Sequence, residues 1–181
     1  MPAYVAMLRG INVTGRNMIK MERLRASFEA LGFKNVQTYL QSGNVIFTAP
    51  GAAPKLQKQI EARLLADHGF EVKVFLRTGA ELAAVVEANP FAKNTALEPA
   101  KLHVTFLSED APATAAETLK ALVTQQEEFH IAGREIYLQC PASYGNTKLS
   151  NNNIERKLKL GATTRNWRSV NALCELVNAS R

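Results

Sequence analysis

The feature that constrains the fold most is a short hairpin signal centred on Gly43. Two runs of β-forming residues, Thr38-Tyr39-Leu40 and Val45-Ile46-Phe47, flank the segment Gln41-Ser42-Gly43-Asn44. Gly and Asn both tolerate positive φ, and such residues between β-formers are typical of a tight turn joining antiparallel strands. The rest of the chain is therefore expected to arrange its strands and helices around a two-stranded ribbon.

On both sides of this hairpin the apolar residues alternate between strand and helix periods. Two helix endings match, because Gly32-Phe33 and Gly69-Phe70 each place Gly and then Phe just ahead of a strand. The resulting order is β-α-β-β-α-β, the pattern of ferredoxin-like folds. The predicted elements are a strand Tyr4 to Arg9, a helix Lys20 to Leu31, strands Val36 to Leu40 and Val45 to Thr48, a helix around Leu56 to Leu64, and a strand Val72 to Leu76.

The second half of the chain repeats a strand, a helix and a hairpin in the same order. Thr78 is predicted to cap a short joining helix that ends at Asn89-Pro90. We expect no last strand, or a very short one, because either Thr163 or Thr164 is predicted to cap the final helix. The remaining predicted elements are a strand Leu102 to Phe106, a helix after Pro112, a hairpin at Ala132-Gly133-Arg134, a helix holding Ile154 and Leu158, and a helix from Trp167 to Val177.

These elements predict an α+β protein made of two ferredoxin-like (α/β plait) subdomains with mostly antiparallel sheets. The first subdomain, with its linker helix, is expected over residues 1–90. The second, a β-α-β-β-α unit with a C-terminal helix, is expected over residues 98–181. The predicted core residues are Leu24, Phe28, Ile60, Leu64, Phe106, Leu158, Trp167 and Leu173.

Composition and charge limit the function classes. The chain has 181 residues, a formal net charge of +6 and no secretory signal or membrane-spanning run, so we expect a cytoplasmic protein with no membrane partner. The net charge favours anionic partners, and basic residues are concentrated between Lys148 and Arg168. Cys140 and Cys174 are interpreted as buried small residues. The oligomeric state stays open.

No motif for a reaction or a cofactor is present in the sequence. His68, His103 and His130 are scattered without metal spacing, and Ser42 lacks the strand-to-helix turn of a hydrolase nucleophile. We therefore expect the chain to fold without a metal or cofactor. Whether it is an enzyme is left open.

Four segments together carry a resemblance to a known family. They are Leu8 to Val13, Thr38 to Val45, Lys148 to Asn152 and Ala162 to Trp167. In combination they resemble the uncharacterised bacterial family known as domain of unknown function 1697 (DUF1697), over nearly the whole chain. The resemblance implies two ferredoxin-like α/β subdomains, and it brings no known activity, substrate or cofactor.

Two sets of polar residues are candidates for ligand binding. In the predicted topology the first strand and the strand entering the hairpin run in the same direction, so the loop after Arg9 and the turn near Gly43 share one edge of the sheet. Backbone amides of a Gly-rich loop ahead of a helix N-terminus, with a cation nearby, make a plausible anion cradle. The same residue types also serve as turns and caps. This first set comprises Arg9, Asn12, Lys20, Ser42 and Asn44.

The second set lies at two predicted helix starts in the basic C-terminal part. Its amide and hydroxyl groups exceed what caps need, and Arg165 in a first helical turn would oppose the helix dipole unless an anion offset it. This set comprises Lys148, Asn151, Asn152, Arg165 and Asn166. The sequence does not determine whether the two sets meet. Trp167 begins an apolar stripe and is interpreted as core, with base stacking as the alternative.

Two functions follow from these candidates. One is binding of a small anionic metabolite, carrying a phosphate or a carboxylate, by polar loops and helix N-termini. The alternative is an RNA or nucleic-acid-binding module that uses the basic C-terminal surface. The aromatic RNP-type strand that many RNA-binding domains share is missing, since the strand Leu102 to Leu107 offers Phe106 alone.

Overall fold

The computed structural model of the chain describes residues 1–124 and 126–180. Its residues form two compact units, one made of Met1–Ala84 with the chain from Ala172 onward, and the other of Val85–Asn171. Each unit holds a four-stranded sheet, and all strand pairs in both sheets are antiparallel. The predicted α+β class and ferredoxin-like topology are confirmed. The domain limits 1–90 and 98–181 stay a prediction.

The first unit has the strand order β2-β3-β1-β4. The central strand β1 pairs with β3 on one side and β4 on the other, so β1 and β2 point the same way. All the elements predicted for this unit are present. They are β1 (Ala3–Leu8), α1 (Met21–Ala30), β2 (Lys34–Thr38), β3 (Asn44–Thr48), α2 (Ala53–His68) and β4 (Val74–Thr78), and α3 (Gly79–Ala88) follows β4.

The hairpin turn of the first unit differs from the prediction in one respect. Leu40 and Gly43 take positive φ values of 61° and 89°, and Gly43 N–H donates to Leu40 O at 3.2 Å. Asn44 is already the first residue of β3, so its expected place in the turn was wrong. The turn begins earlier because Leu40 accepts the left-handed conformation, and β2 therefore ends at Thr38.

Aromatic rings form the centre of the first core. Phe47 stacks on Phe33 at 4.7 Å and on Tyr4 at 5.6 Å between ring centroids. Phe28 meets Phe47 edge-on at 5.4 Å. Such pairs add about 0.5–1.5 kcal/mol beyond the burial of their area. The helices α1 and α2 contribute Leu24, Phe28, Ile60 and Leu64 to this core, all fully buried.

The second unit repeats the first topology, with the strand order β6-β7-β5-β8. The expectation of a missing or very short last strand was wrong, because Ala162–Asn166 forms a five-residue strand paired with β5 along its whole length. Polar Thr and Arg side chains fill this strand, so it carries no apolar alternation that would reveal it. The elements are β5 (Leu102–Leu107), α4 (Ala115–Lys120), β6 (Glu128–Ala132), β7 (Glu135–Gln139), α5 (Asn151–Leu158) and β8 (Ala162–Asn166), followed by α6 (Trp167–Ala179).

The predicted core residues of the later part of the chain are also buried. Phe106 and Leu173 are fully buried, while Leu158 and Trp167 retain 7% and 8% exposure. Cys140 is buried, whereas Cys174 is half-buried, so only the first matches its interpretation. Among the described residues, no helix is both long enough and apolar enough to cross a bilayer.

Candidate functional site

The loop after β1 contacts the β2–β3 hairpin, as the topology predicted. Leu8 N–H donates to Gly43 O at 2.8 Å, and Asn12 Nδ2 donates to Gln41 O at 2.8 Å. Gly43 allows this approach, since a Cβ there would lie 2.6 Å from Ile11 Cδ1. The first loop and the hairpin tip therefore form one continuous polar edge.

Asn12 organises this edge with a single side chain. Its Oδ1 accepts from Ile19 N–H at 2.8 Å, and its Nδ2 donates to Ile19 O at 3.1 Å as well as to Gln41. The residue takes a positive φ of 53°, which Asn tolerates better than most residues. These bonds close the loop and fix the position at which α1 begins.

A pocket of about 640 Å³ opens beside this edge, at the N-terminal end of α1; we call it the α1 pocket. No side chain caps the helix there, because its N-cap residue is Lys20. The first-turn N–H groups of a helix are unsatisfied donors, and the helix dipole makes that end attractive to anions. The polar residues lining the pocket are Lys20, Glu22, Arg23, Gln41 and His68.

His68 belongs to a hydrogen-bonded cluster at the rim of the α1 pocket. Ser27 Oγ lies 2.8 Å from Asp67 Oδ2 and 3.0 Å from His68 Nε2. Hydrogen bonds from Arg63 and then from Ser27 lower the pKa of Asp67, so its carboxylate is ionised and only accepts. The hydroxyl proton of Ser27 therefore points to Asp67, and Nε2 of His68 donates to Oγ.

This proton arrangement decides what the cluster does. A serine nucleophile needs a histidine nitrogen that accepts its proton, and here the histidine donates. Ser27 is also 3% exposed. Burial lowers the pKa of His68, which keeps the ring neutral near pH 7. The cluster ties α1 to α2 and fixes the tautomer of His68.

The other members of the first set shape the edge. Asn44 is fully buried, and its Nδ2 donates to Tyr39 O at 2.8 Å and to Ser42 Oγ at 3.1 Å. Ser42 is exposed and Arg9 half-buried. Arg9 N–H donates to Lys73 O at 2.9 Å, which extends the sheet beyond β1. Of this set, Lys20 is the member that lines the α1 pocket.

Three members of the second set, Asn151, Arg165 and Asn166, lie in strand β8 or contact it. Thr164 Oγ1 donates to Asn151 Oδ1 at 2.7 Å and lies 2.7 Å from Thr105 Oγ1, which joins α5, β8 and β5. The placement of Arg165 in a helical turn was wrong, because it lies in β8 with 6% exposure. Its Nη1 donates to Thr163 Oγ1 and Thr164 O, and burial lowers its pKa to about 10.

The start of α5 has the predicted capping chemistry. Ser150 Oγ accepts from Asn153 N–H at 3.3 Å, so Ser150 caps the helix. Asn153 Nδ2 donates to Lys148 O at 2.8 Å and folds the preceding loop onto the helix. The side chains of Lys148 and Asn152 are exposed.

Helix α6 begins at Trp167, and its cap is Asn166, two to three residues after the predicted caps. Asn166 Oδ1 accepts from Ser169 N–H at 2.8 Å, which replaces the expected caps Thr163 and Thr164. Beside this cap is a second pocket of about 530 Å³, the Trp167 pocket. Its walls combine apolar residues with a histidine, two amides and a guanidinium: Pro99, Ala100, His103, Asn166, Trp167, Arg168 and Asn171.

Comparison with known proteins identifies the chain's relatives. The family described as protein of unknown function (DUF1697) matches residues 1–137. The chain belongs to the DUF1697 family. The curated proteins include no significant match.

A solved structure supports the same fold for this DUF1697 protein. It is that of the conserved bacterial protein SP0830 from Streptococcus pneumoniae, which is 23% identical. The similarity covers 97% of this chain and 98% of that one, with a TM-score of 0.78. At this identity the similarity establishes the fold alone. Among the described residues, no group of three or more His, Cys, Asp or Glu is placed to hold a metal ion.

Sequence reasoning missed several pocket residues of this DUF1697 protein. Arg23 and Arg168 both lie in the first turn of a helix, where a cation opposes the dipole. A cation in the first turn of a helix is therefore the signal that could have identified these two arginines. His68 and His103 join their pockets through packing of distant segments, which no local pattern indicates.

Proposed function

We propose that the first unit binds a small anionic ligand, carrying a phosphate or a carboxylate, in the α1 pocket. The observation that carries this proposal is a helix N-terminus with no side-chain cap, beside the two cations Lys20 and Arg23 in one pocket. An anion there would accept hydrogen bonds from first-turn N–H groups and pair with the cations. It would take the place of the missing cap.

The charges around the α1 pocket support a small ligand of low charge. Glu22 lines the same pocket and offsets part of the positive potential of Lys20 and Arg23. The lowered pKa of His68 keeps that ring uncharged near neutral pH. Gln41 adds an amide that can donate or accept. The composition supports a cytoplasmic location, where phosphorylated and carboxylated metabolites are abundant.

The remaining candidates of the first set act on the ligand indirectly in this proposal. Asn12 fixes the positions of Ile19 and Gln41 through its hydrogen bonds. Both residues line the α1 pocket, so the pocket is preorganised by Asn12. Ser42, Asn44 and Arg9 support the edge on which Gln41 lies.

Nucleic-acid binding is the second candidate, and exposed cations of the second unit favour it. Lys148, Arg156, Lys157, Lys159 and Arg168 are all exposed. Arg165 is buried and adds nothing to that surface. A binding surface of this kind predicts affinity that falls steeply with salt, whereas a small-ligand pocket predicts saturable binding with a weaker dependence.

A calorimetric titration tests the proposal. Inorganic phosphate, a sugar phosphate and a dicarboxylate are titrated at constant ionic strength, with sodium chloride as the control for screening. We expect saturable binding that weakens about tenfold or more in Arg23→Ala and in Lys20→Ala, since hydrogen bonds to charged groups contribute roughly 1.5–3 kcal/mol. Lys58→Ala, an exposed lysine of the same unit outside the pocket, is the matched control.

Two results would contradict the proposal. One is the absence of saturable heat with every anion in the panel. The other is equal affinity in the wild type and Arg23→Ala. Binding of single-stranded RNA alone, with a steep salt dependence, would favour the second candidate.

A further inference from the structure

The imidazole of His103 forms part of the wall of the Trp167 pocket. Its Nδ1 atom is inaccessible to solvent. The ring stacks against Tyr144 at 4.7 Å between centroids, with 23° between the planes, which fixes the plane of the imidazole. Burial lowers the pKa of His103, and a hydrogen bond with the backbone of Lys101 offsets this only in part. A neutral ring offers one donor and one acceptor.

Two amides in the same pocket have their orientation set by other bonds. Asn166 uses Oδ1 to cap α6 through Ser169 N–H, which leaves Nδ2 as a donor. Asn171 uses Nδ2 to donate to Trp167 O at 2.8 Å, which leaves Oδ1 as an acceptor. The pocket therefore holds a donor and an acceptor on residues one helical turn or so apart, a combination suited to the edge of a planar heterocycle.

Arg168 supplies the charge in this pocket. Its side chain is exposed and makes no ion pair or hydrogen bond with the described residues. It lies in the first turn of α6, where an anion offsets the unfavourable interaction of a cation with the helix dipole. Pro99, Ala100 and Trp167 provide apolar surface beside it.

We propose that the Trp167 pocket binds a planar nitrogen heterocycle that carries an anionic group, the chemistry of a nucleoside monophosphate. The heterocycle lies against the apolar wall beside the ring of His103, with its polar edge toward Asn166 and Asn171, and its phosphate pairs with Arg168. The volume of about 530 Å³ falls within the range of roughly 300–1,000 Å³ that is usual for small-molecule sites. This site lies in the second unit and is independent of the α1 pocket.

The single tryptophan of the chain allows a direct test. Trp167 is the one Trp in the sequence and lines the pocket, so its fluorescence, excited at the red edge, reports on occupancy. The panel is the four nucleoside 5′-monophosphates, the corresponding nucleosides, ribose 5-phosphate, and a short single-stranded RNA. We expect at least one mononucleotide to quench saturably, with ribose 5-phosphate having no effect because it lacks the base.

The variants separate base recognition from phosphate recognition. Arg168→Ala should weaken the mononucleotide about tenfold or more and leave the nucleoside unchanged, because it removes the pairing with the phosphate. Asn171→Ala should weaken both, since it removes the acceptor Oδ1 from the polar edge of the pocket. Lys120→Ala, an exposed cation of the same unit outside the pocket, should change neither. Circular dichroism checks that each variant folds.

The single-stranded RNA in the panel shows whether the ligand is a free nucleotide or a nucleotide within a strand. Quenching by mononucleotides that Arg168→Ala weakens supports a free nucleotide as ligand. Quenching by RNA alone, also weakened by Arg168→Ala, supports the same chemistry on a nucleotide within a strand. The proposal is overturned if no member of the panel changes the fluorescence, or if folded Arg168→Ala and Asn171→Ala bind as the wild type does. Lys20 lines the α1 pocket and not the Trp167 pocket. Lys20→Ala should therefore weaken anion binding in the α1 pocket and leave nucleotide binding at Trp167 unchanged, so that the two proposals can fail separately.

Discussion

The two units can be compared hydrogen bond by hydrogen bond along their central strands. Leu8 N–H, at the end of β1, donates to Gly43 O in the hairpin, and Leu107 N–H, at the end of β5, donates to Arg134 O in the equivalent hairpin. A further backbone hydrogen bond lies at the other end of each central strand. In the first unit Ala49 N–H donates to Pro2 O, and in the second Cys140 N–H donates to Lys101 O. The backbone scaffold is thus repeated at both ends.

The repeat also includes a buried arginine in the last strand of each unit. Arg77 pairs with Val5 across β4 and β1, and Arg165 pairs with Val104 across β8 and β5. Each arginine donates to the carbonyl of the residue before it, at 2.9 and 3.0 Å. The side chains at these two positions are 2% and 6% exposed.

The units differ in what surrounds this shared scaffold. The first has stacked aromatic rings in its core and a loop braced by Asn12, which creates the α1 pocket. The second has a polar contact between Thr105 and Thr164 inside its sheet and places its pocket at the capped start of α6. The comparison indicates that backbone bonds set the fold, whereas loops and helix starts decide where each unit can bind.

The largest effect should come from truncating the buried arginines. We expect Arg77→Ala and Arg165→Ala each to lower the free energy of unfolding by about 3 kcal/mol or more, because truncation leaves a cavity and buried acceptors without donors. Arg→Met at each site should recover part of the loss by filling the volume without a buried charge. Urea unfolding measures all four variants. If one of the Ala variants were as stable as the wild type, the two arginines would not have equivalent roles in their units.

The hairpin glycines should respond unequally. At Gly43 a Cβ would lie 2.6 Å from Ile11 Cδ1, whereas at Gly133 the nearest atom is Asp110 Oδ1 at 3.7 Å, and both residues have positive φ. Backbone strain at positive φ would act at both positions, whereas steric overlap would be added only at Gly43. We therefore expect Gly43→Ala to lower the free energy of unfolding by about 2–3 kcal/mol and Gly133→Ala to lower it by about 1 kcal/mol. Equal losses in thermal unfolding would contradict the contact at Ile11.

The two helix caps should have similar structural effects and different functional ones. Thr78 caps α3 in a reciprocal pair with Glu81, and Asn166 caps α6. We expect Thr78→Ala and Asn166→Ala each to cost about 1 kcal/mol of stability. Only Asn166→Ala should also weaken nucleotide binding at the Trp167 pocket. If Thr78→Ala weakened it equally, the loss would reflect stability rather than contact with the ligand.

The smallest effect should be the response to acid, and it involves one carboxylate of each unit. Hydrogen bonds from Arg63 and Ser27 lower the pKa of Asp67 below its ordinary 3.8. Burial raises the pKa of Glu127, but hydrogen bonds, that from Thr147 first, give a net lowering. A lowered pKa stabilises the folded state above the ordinary value, and this stabilisation is lost as the pH falls through the lowered one.

Unfolding measured between pH 5 and the acid limit checks this expectation. Asp67→Asn and Glu127→Gln should each start less stable near neutral pH and lose less stability on acidification than the wild type does. A pH profile parallel to that of the wild type in either variant would show that the carboxylate contributes nothing in that unit.

The sequence predicted those parts of the fold that local chemistry controls. The paired Gly-Phe helix endings, the hairpin at Gly43 and the apolar stripes through Phe28, Ile60 and Leu173 all depend on nearby residues, and the structure confirms them. Strand β8 escaped detection because Thr163 and Arg165 are buried by tertiary contacts, and burial of polar residues leaves no periodic signal in the chain.

The candidate sites were predictable only in part. The contact between the loop holding Asn12 and the hairpin followed from topology, since parallel strands end at the same edge of a sheet. The pockets themselves depend on residues such as His68 and His103, which packing brings to helix starts far away in the sequence. The ligand roles of the two predicted sets stay predictions until the titrations are made.

The hydrogen bonds of Asn12 make the amide of Ile19 a reporter of local opening in the first unit. The side chain of Asn12 accepts a hydrogen bond from Ile19 N–H and donates one to Ile19 O, as the backbone of a partner strand would. Ile19 itself lies outside the strands and helices. Amide hydrogen exchange at Ile19 should therefore be slow, and it should proceed by opening of the loop rather than by unfolding of the sheet. Deuterium uptake at Ile19 ahead of uptake at Leu8 would reveal how often the loop detaches while the strands stay paired.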